Sequence, residues 1–321
     1  MQHAEGSGEG STIDMRLVAI RLAAHDTNLY EFERLDGRPL PAVAPGSHVD
    51  IHLPNGMVRP YSLVASGEAP ASYVIGVKRD AAGRGGSVAM HDTLRVGTML
   101  KVGRPRNNFP LEEGAPHSVL IAGGIGITPI WCMAQRLIAL GQSFEIHYAC
   151  RDRRDVAFAR ELEALGAHLH IDSESAGRFL DIAGIVAAAP DGAHFYCCGP
   201  APMLTGFEAA TAALPAERVH LERFAAAPME APQGGFVVAL QASGKEFVVP
   251  EGKSILEVLR EQGLDVDFSC EQGICGACRV TVLEGEPDHR DMVLSEREKA
   301  QNDAIMVCCS GSKSPRLVLA L

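Results

Sequence analysis

The first third of the chain carries short apolar runs of the kind that form β-strands. Between residues 13 and 110 these runs are separated by Gly, Pro, Asp and Asn; they are MRLVAIRLAA, LYEFERL, SHVDIHL, YSLVAS and YVIGVKR. In this region a helical period longer than about two turns is confined to SVAMHDTL. Five or six short strands joined by turns predict a small antiparallel β-barrel.

From about Leu111 the pattern changes to apolar strands that alternate with helical stretches. The strand-like runs are HSVLIAG, FEIHYAC, AHLHIDS, HFYCCG and RVHLERF. The helical stretches between them are PIWCMAQRLIAL, DVAFARELEAL, FLDIAGIVAA and PMLTGFEAATAAL. This alternation predicts a parallel α/β sheet with helices on both faces, in which ligands bind at the carboxyl ends of the strands.

A third pattern follows the segment AAAPMEAPQGG, which lacks periodicity and is predicted to be a linker. The run FVVALQASGKEFVVP predicts a hairpin about Ser243 and Gly244, and SILEVLREQG predicts an amphipathic helix that ends at Gly263. A strand (RVTVLEG), a short helix (SEREKAQ) and a last strand (RLVLAL) complete a β-grasp pattern.

The length of 321 residues is too great for one ordinary core and fits this division into several domains. We predict a disordered N-terminus (1–12), a β-barrel (13–110), an α/β domain (111–228), a linker (229–235) and a β-grasp domain (236–321). No apolar run of about 18 residues could span a bilayer. The start, MQHAEGSGEGST, lacks the features of a signal peptide.

Charge and cysteine usage limit the choice of partner and compartment. The net charge of −11 argues against nucleic acid as a partner. Acidic residues outnumber basic ones after residue 229, so this part either attracts a basic partner or simply keeps the protein soluble. Nine cysteines without an export signal indicate reduced thiols, and we therefore expect a cytoplasmic location.

The cysteine spacing in the β-grasp region is the most specific chemical signal in the chain. The loop CEQGICGAC and one distant cysteine give the C-x₄-C-x₂-C…C spacing of a plant-type [2Fe–2S] cluster, with the ligands Cys270, Cys275, Cys278 and Cys308. Gly273 and Gly276 allow the backbone to wrap closely around such a cluster. A structural zinc site is the alternative, but it favours paired C-x₂₋₄-C units.

Two adjacent cysteines compete for the fourth ligand position. The chain reads Cys308-Cys309-Ser310, and 29 residues separate Cys278 from Cys308. That interval is the common one in plant-type sites, and it favours Cys308 over Cys309.

Two short motifs in the barrel region indicate a phosphorylated aromatic cofactor. Arg59 and Tyr61 of RPYS alternate onto one side of a strand, where they could line a planar, anionic ligand. The sequence GRGGS (83–87) opens a helix, and the backbone N–H groups of such a loop can bind phosphate. Each motif alone could equally be an ordinary strand or a flexible turn.

The α/β region carries two turns at predicted carboxyl ends of strands. The loop GGIGITP (123–129) is similar to a G-x-G-x-x-G phosphate loop, except that Pro129 replaces the third glycine. The turn Cys198-Gly199-Pro200 ends the fourth strand at the same edge. The Cys198 thiol is a soft group that could sit against a nicotinamide ring, although a core cysteine is the simpler interpretation.

Together these modules resemble the phthalate dioxygenase reductase family, which includes the reductase components of vanillate O-demethylase and related Rieske oxygenases. The likeness extends from about residue 13 to Leu321 and includes the order of flavin, pyridine nucleotide and ferredoxin domains. It is carried by RPYSL, GRGGS, GGIGITP, the YxCGP turn, HLERF, CEQGICGAC, EGEPDHRD, CCS and LVLAL. The resemblance implies FMN, NADH and one plant-type cluster as cofactors.

The resemblance also implies roles for individual residues. On the barrel, the flavin ring, the ribityl chain and the FMN phosphate would be bound by Arg59, Tyr61, Ser62, Lys78, Gly85, Gly86 and Ser87. In the α/β domain, the nucleotide and the flavin face would be contacted by Gly124, Gly126, Thr128, Cys198, Gly199, Pro200 and Phe224. No side chain would need to act as an acid or base.

The resemblance implies an NADH-dependent reductase that passes single electrons to a terminal Rieske-type oxygenase, and we expect a monomer. An FAD- and NADPH-using ferredoxin-type reductase is the nearest alternative, because Arg151, Arg153 and Arg154 could bind a 2′-phosphate. A non-enzymatic redox sensor would need an output domain for which no sequence remains. An oxygen-activating monooxygenase would need a Rieske C-x-H pair, a haem site or a di-iron site, which the sequence lacks.

Overall fold

The computed structural model describes residues 12–225 and 234–321, which form two compact units. One unit ends at Glu222 and the other begins at Arg223. Residues 1–11 of the predicted disordered start (1–12) and residues 229–233 of the predicted linker (229–235) lie outside the described residues. Thr12 begins the first strand, contrary to the prediction of a disordered start up to residue 12. Among the described helices, none is long and apolar enough to cross a membrane.

The first unit begins with a seven-stranded antiparallel sheet, as the sequence predicts. Its elements are β1 (Thr12–Ala24), β2 (Thr27–Arg34), β3 (Ser47–His52), β4 (Val58–Ser62), β5 (Ser72–Lys78), α1 (Gly86–Thr93), β6 (Met99–Gly103) and β7 (Arg106–Asn107). The strand order is β4-β3-β6-β1-β2-β5, and β7 pairs with β3. A bridge between Leu63 and Ile75 joins the two ends of this order, so the sheet closes into a barrel.

Strict alternation of apolar and polar residues explains the first half of β1. Along β1 the side chains of Met15 and Leu17 are fully buried, whereas those of Asp14 and Arg16 are exposed. Successive strand residues point to opposite faces, so this pattern places one face in the barrel core. Phe32 and Ile51 from neighbouring strands complete that core.

The second half of this unit is a five-stranded parallel sheet. Its strands are β8 (Ser118–Gly123), β9 (Phe144–Cys150), β10 (His168–Ile171), β11 (His194–Cys198) and β12 (Val219–Glu222). Its helices are α2 (Ile127–Leu140), α3 (Ala159–Ala164), α4 (Ile182–Ala188) and α5 (Ala201–Thr211). The order β10-β9-β8-β11-β12 puts β8 in the centre, and every residue of β8 is buried.

Helix α3 is shorter than the run DVAFARELEAL suggests. Phe158 adopts a left-handed backbone conformation (φ 57°), and the helix begins only after it. The Phe158 ring stacks on that of Trp131, with 5.3 Å between ring centroids. This contact with α2 holds residues 155–158 out of the helix.

The second unit is built on a mixed sheet of the predicted β-grasp type. Its elements are β13 (Phe236–Leu240), β14 (Glu246–Val249), α6 (Ile255–Glu261), β15 (Arg279–Glu284), β16 (Pro287–Asp288), α7 (Glu296–Gln301), β17 (Ala304–Met306), β18 (Gly311–Ser312) and β19 (Arg316–Leu319). The main strand order is β14-β13-β19-β15-β17. Ser254 and Ser295 each form a capping box at the start of a helix, which satisfies backbone N–H groups there.

Candidate cofactor sites

The loops after β8 and β11 meet at the carboxyl edge of the parallel sheet. A Cβ atom on Gly126 would lie 2.1 Å from the carbonyl oxygen of Cys198. A Cβ atom on Gly199 would lie 3.2 Å from the backbone nitrogen of Gly123 and closer still to the sulfur of Met203. The GGIGITP loop and the Cys198-Gly199-Pro200 turn therefore pack backbone against backbone, and the position of Gly126 requires glycine.

The same edge of the sheet contacts the barrel. A Cβ atom on Gly76 of β5 would lie 2.6 Å from Cγ2 of Thr128, so the strand and the loop touch directly. Thr128 is buried and donates a hydrogen bond from Oγ1 to the carbonyl oxygen of Ile125 (3.0 Å). The crevice between the barrel and the carboxyl ends of the strands is where a parallel α/β sheet binds ligands.

On the barrel, Arg59 lies across the glycine loop that opens α1. Its Nη2 donates to the carbonyl oxygen of Arg84 (3.1 Å), and a Cβ atom on Gly86 would lie 2.6 Å from its Cγ. Gly85 is the N-cap of α1 and has a left-handed backbone (φ 77°). The predicted cation and the predicted anion-binding loop are thus adjacent, which fits a phosphate-bearing ligand.

The other predicted barrel residues lie on β4, at the end of β5 and at the start of α1. Tyr61 follows Arg59 on the same face of β4, and burial raises the pKa of its hydroxyl, which stays protonated. The Ser87 hydroxyl accepts a hydrogen bond from the backbone N–H of Asp80 (3.0 Å). Lys78 ends β5, and its positive charge acts on the thiol of Cys150 at the end of β9.

Glu222 is a site residue that the sequence reasoning missed. It ends β12, and its Oε2 lies 3.5 Å from the Ser62 hydroxyl and 3.9 Å from the Cys198 sulfur. Burial raises the pKa of Glu222 to about 8, although hydrogen bonds from Ser62 and Cys198 oppose the shift. Burial, reinforced by the Glu222 charge, also raises the pKa of Cys198 well above its usual range. At neutral pH both groups are therefore largely protonated and uncharged.

The loops after β9 and β10 bear on the choice of nucleotide. Arg153 forms a two-pronged ion pair with Glu174, with distances of 2.8 and 2.6 Å. The backbone N–H of Ser173 donates to the carbonyl oxygen of Arg151, which joins the two loops. A carboxylate at this edge of the sheet suits a ribose 2′-hydroxyl and repels a 2′-phosphate.

In the second unit, the thiols of the cysteine loop converge. The Cys270 thiol hydrogen-bonds with those of Cys275 and Cys308. Backbone N–H groups of Gln272 and Ile274 donate to the Cys270 sulfur at 3.3 and 3.5 Å. Together with Cys278, also buried, this donor set fits a [2Fe–2S] cluster, whose sulfurs need thiolate ligands and nearby backbone donors.

The Cys309 sulfur lies against Gly273 of the cysteine loop. A Cβ atom on Gly273 (φ 68°) would lie 2.5 Å from the Cys309 sulfur. That sulfur is 3.7 Å from both the carbonyl oxygen of Met306 and the hydroxyl of Ser310. Cys308 contacts Cys270 directly, so the local geometry supports Cys308 as the fourth ligand.

The EPDHRD segment and the residue after it pack against the cysteine loop. Asp291 is buried and accepts hydrogen bonds from the backbone N–H groups of Val293 (3.1 Å) and Leu294 (2.8 Å). The N–H of Met292 donates to the carbonyl oxygen of Gly273 (2.9 Å).

The remaining predicted residue, Phe224, is 40% exposed and belongs to the second unit.

Two family models match the chain in its second and third regions. The model described as "Oxidoreductase NAD-binding domain" matches residues 120–209. The model described as "2Fe-2S iron-sulfur cluster binding domain" matches residues 238–312. These matches cover the GGIGITP loop, the Cys198 turn and all four predicted cluster ligands.

Full-length relatives show the same similarity. The chain is 51% identical over 317 residues to the tetrachlorobenzoquinone reductase of Sphingobium chlorophenolicum, covering 96% of this chain and 98% of the relative. It is 45% identical to the vanillate O-demethylase oxidoreductase of a Pseudomonas species, covering 96% and 100%. The solved structure of phthalate dioxygenase reductase matches with a TM-score of 0.74 and 38% identity, covering 97% and 98%.

The chain also matches part of a larger enzyme, a type IV self-sufficient cytochrome P450 monooxygenase. The TM-score is 0.86 at 35% identity, and the chain spans 43% of that protein.

These features define an oxidoreductase that binds a pyridine nucleotide and a [2Fe–2S] cluster in one chain. The chain belongs to the phthalate dioxygenase reductase family. FMN, NADH and a plant-type [2Fe–2S] cluster are its cofactors.

Proposed function

We propose that the chain carries electrons from NADH through FMN and the cluster to a terminal Rieske-type oxygenase. NADH gives up an electron pair as hydride, whereas a [2Fe–2S] cluster accepts one electron, and bound FMN supplies the chemistry that links the two. The observation that carries the proposal is the contact of the GGIGITP loop and the Cys198 turn with each other and with the barrel.

On the barrel, Arg59, Tyr61 and Ser62 contact the flavin ring and the ribityl chain, and Gly85 and Gly86 hold the FMN phosphate. The short distance from Arg59 to the glycine loop supports this assignment, because the ring and the phosphate belong to one ligand. Lys78 and Ser87 complete the predicted set.

In the parallel sheet, Gly124 and Gly126 let the backbone approach the nucleotide, and Thr128 fixes the turn. Cys198, Gly199 and Pro200 form the wall against which the nicotinamide lies. The protonated state of Cys198 and Glu222 supports this role, since an uncharged wall neither attracts water nor repels the dinucleotide. Phe224 is the residue we propose to cover the flavin face.

The electrons leave through the second unit. Cys270, Cys275, Cys278 and Cys308 bind the cluster, and the backbone N–H groups of residues 272 and 274 stabilise the charge on the Cys270 sulfur. Relatives that are reductase subunits of oxygenase systems support a terminal oxygenase as the acceptor. We propose that this complex is transient, that the chain works as a monomer, and that both act in the cytoplasm.

Replacement of one cluster ligand tests the order of carriers. We expect Cys275→Ser to keep NADH:ferricyanide activity, because ferricyanide accepts electrons from the flavin, and to lose more than about 90% of NADH:cytochrome c activity. The matched control is Cys309→Ser, a neighbouring buried thiol outside the proposed ligand set. It should keep both activities and the visible spectrum of the cluster.

Two results would contradict this proposal. Equal cytochrome c activity in Cys275→Ser and the wild type would show that electrons bypass the cluster. Loss of the cluster in Cys309→Ser but not in Cys308→Ser would show that Cys309, and not Cys308, is the fourth ligand.

A further inference from the structure

A group of potential metal ligands lies on the parallel sheet, away from the nucleotide loops. His147 of β9 is directly paired with His168 of the edge strand β10. Their rings stack with 4.7 Å between centroids and 15° between planes. Paired residues on neighbouring strands point to the same face, so both imidazoles project from one side of the sheet.

A carboxylate completes this group. Glu145 precedes His147 by two residues on β9 and therefore shares its face. One oxygen of Glu145 lies 3.4 Å from Nε2 of His147. One ligand atom from each of the three residues lies within 4.8 Å of the other two.

One ring nitrogen of His147 is buried without an aligned hydrogen bond to any described residue. Its side chain is 13% exposed, and its Nε2 atom is buried with no aligned hydrogen-bond partner among the described residues. Val119 and Ile121 of β8 are the paired neighbours of Glu145 and His147, so an apolar wall closes the inner side. The 3.4 Å contact with Glu145 is not aligned as a hydrogen bond, and a buried nitrogen that lacks one is costly. A bound cation would remove that cost.

We propose that Glu145, His147 and His168 bind one divalent transition-metal ion of the zinc type. Two neutral imidazoles and one carboxylate are a donor set that suits this class of ion, with water in the remaining position. Ligand atoms around one Zn²⁺ lie about 3.3 Å apart, as follows from bonds of about 2.0 Å. The exposed His168 side chain can close the remaining distance by rotating.

This site is separate from the nucleotide site. His147 lies three residues before Cys150, the carboxyl end of β9, which is about 10 Å along a strand. The ion would join the edge strand β10 to β9 without touching the loops that bind NADH. Its expected effect is therefore stabilisation of the sheet, since an ion that binds only the folded state raises the unfolding temperature.

Zinc titration of the holoprotein tests the proposal. We expect calorimetry with Zn²⁺ in a non-chelating buffer to show one saturable equivalent for the wild type. His168→Ala should weaken that binding by at least about tenfold, because it removes a direct ligand. The control is His170→Ala on the same strand, whose Nε2 is 2.7 Å from the carbonyl oxygen of Arg178 and which should bind Zn²⁺ like the wild type.

X-ray absorption at the zinc edge gives a second, independent result. The bound ion should show only nitrogen and oxygen neighbours at about 2.0 Å, with imidazole outer-shell scattering. A sulfur shell at about 2.3 Å would assign the ion to cysteines and overturn the proposal. The proposal also fails if the wild type binds no zinc or if His168→Ala and His170→Ala bind it equally well.

Discussion

At the scale of single residues, Glu222 shows that the tertiary fold determines the environment of a side chain. Its carboxyl lies beside Ser62, which is 160 residues away in the sequence, and Cys198, which is 24 residues away. Nothing in the local run HLERF reveals this, because burial of a carboxyl depends on neighbours that only the tertiary fold brings together. The cluster ligands are the opposite case, since three of the four lie on one short loop and the sequence predicts them directly.

Replacement of Glu222 by Gln tests its protonation. The pKa of Glu222 is raised from 4.5 to about 8 in the folded protein, so folding favours the protonated carboxyl. The folded state then binds more protons than the unfolded state between those values, and this residue destabilises the protein as pH rises through that window. We expect the melting temperature of Glu222→Gln to exceed that of the wild type by a few degrees more at pH 8 than at pH 5.

The control for this comparison is Glu217→Gln, which removes an exposed carboxyl just before β12. Its melting temperature, measured by circular dichroism, should follow the wild type at both pH values. A difference between Glu222→Gln and the wild type that stays constant from pH 5 to pH 8 would refute the raised pKa.

At the scale of elements, hydrophobic period predicts most strands and helices, and tertiary contacts explain the exceptions. The hairpin about Gly244 forms with Phe236 opposite Val249, as the pattern predicts. Helix α3 loses its predicted first turn because Phe158 stacks on Trp131, a residue of another helix. A periodic pattern cannot reveal such a contact, because it reports only residues that are near in sequence.

The meeting of the β8 and β11 loops is the element-scale feature on which we propose that nucleotide binding depends. Gly126→Ala would force a Cβ atom against the Cys198 carbonyl oxygen, so the two loops must separate. We expect kcat/KM for NADH in ferricyanide reduction to fall by at least about tenfold, which corresponds to about 1.4 kcal/mol. Steady-state kinetics measures this loss.

Gly67→Ala is the matched control, because a Cβ atom there meets no other heavy atom within 4 Å and the residue has no left-handed backbone. It should keep the wild-type kcat/KM. Wild-type kinetics for Gly126→Ala, with its fold intact, would show that close packing of the two loops is not needed for NADH oxidation.

At the scale of the whole molecule, the chain combines a pyridine nucleotide site and an iron–sulfur site in two compact units. The order of the three sequence patterns predicts this combination, and the family models and full-length relatives agree with it. The predicted domain boundaries stay predictions, since the segment between the units lies partly outside the described residues. The electron path is therefore tested by measuring electron transfer from NADH to the cluster.

Anaerobic reduction of the holoprotein by NADH, followed by low-temperature EPR, is the most direct measurement. We predict that the wild type shows the signal of a reduced [2Fe–2S] cluster, at about one spin per chain, and that Cys275→Ser oxidises NADH without that signal. An unreduced cluster in wild-type protein that has oxidised NADH and contains both cofactors would contradict the proposed path.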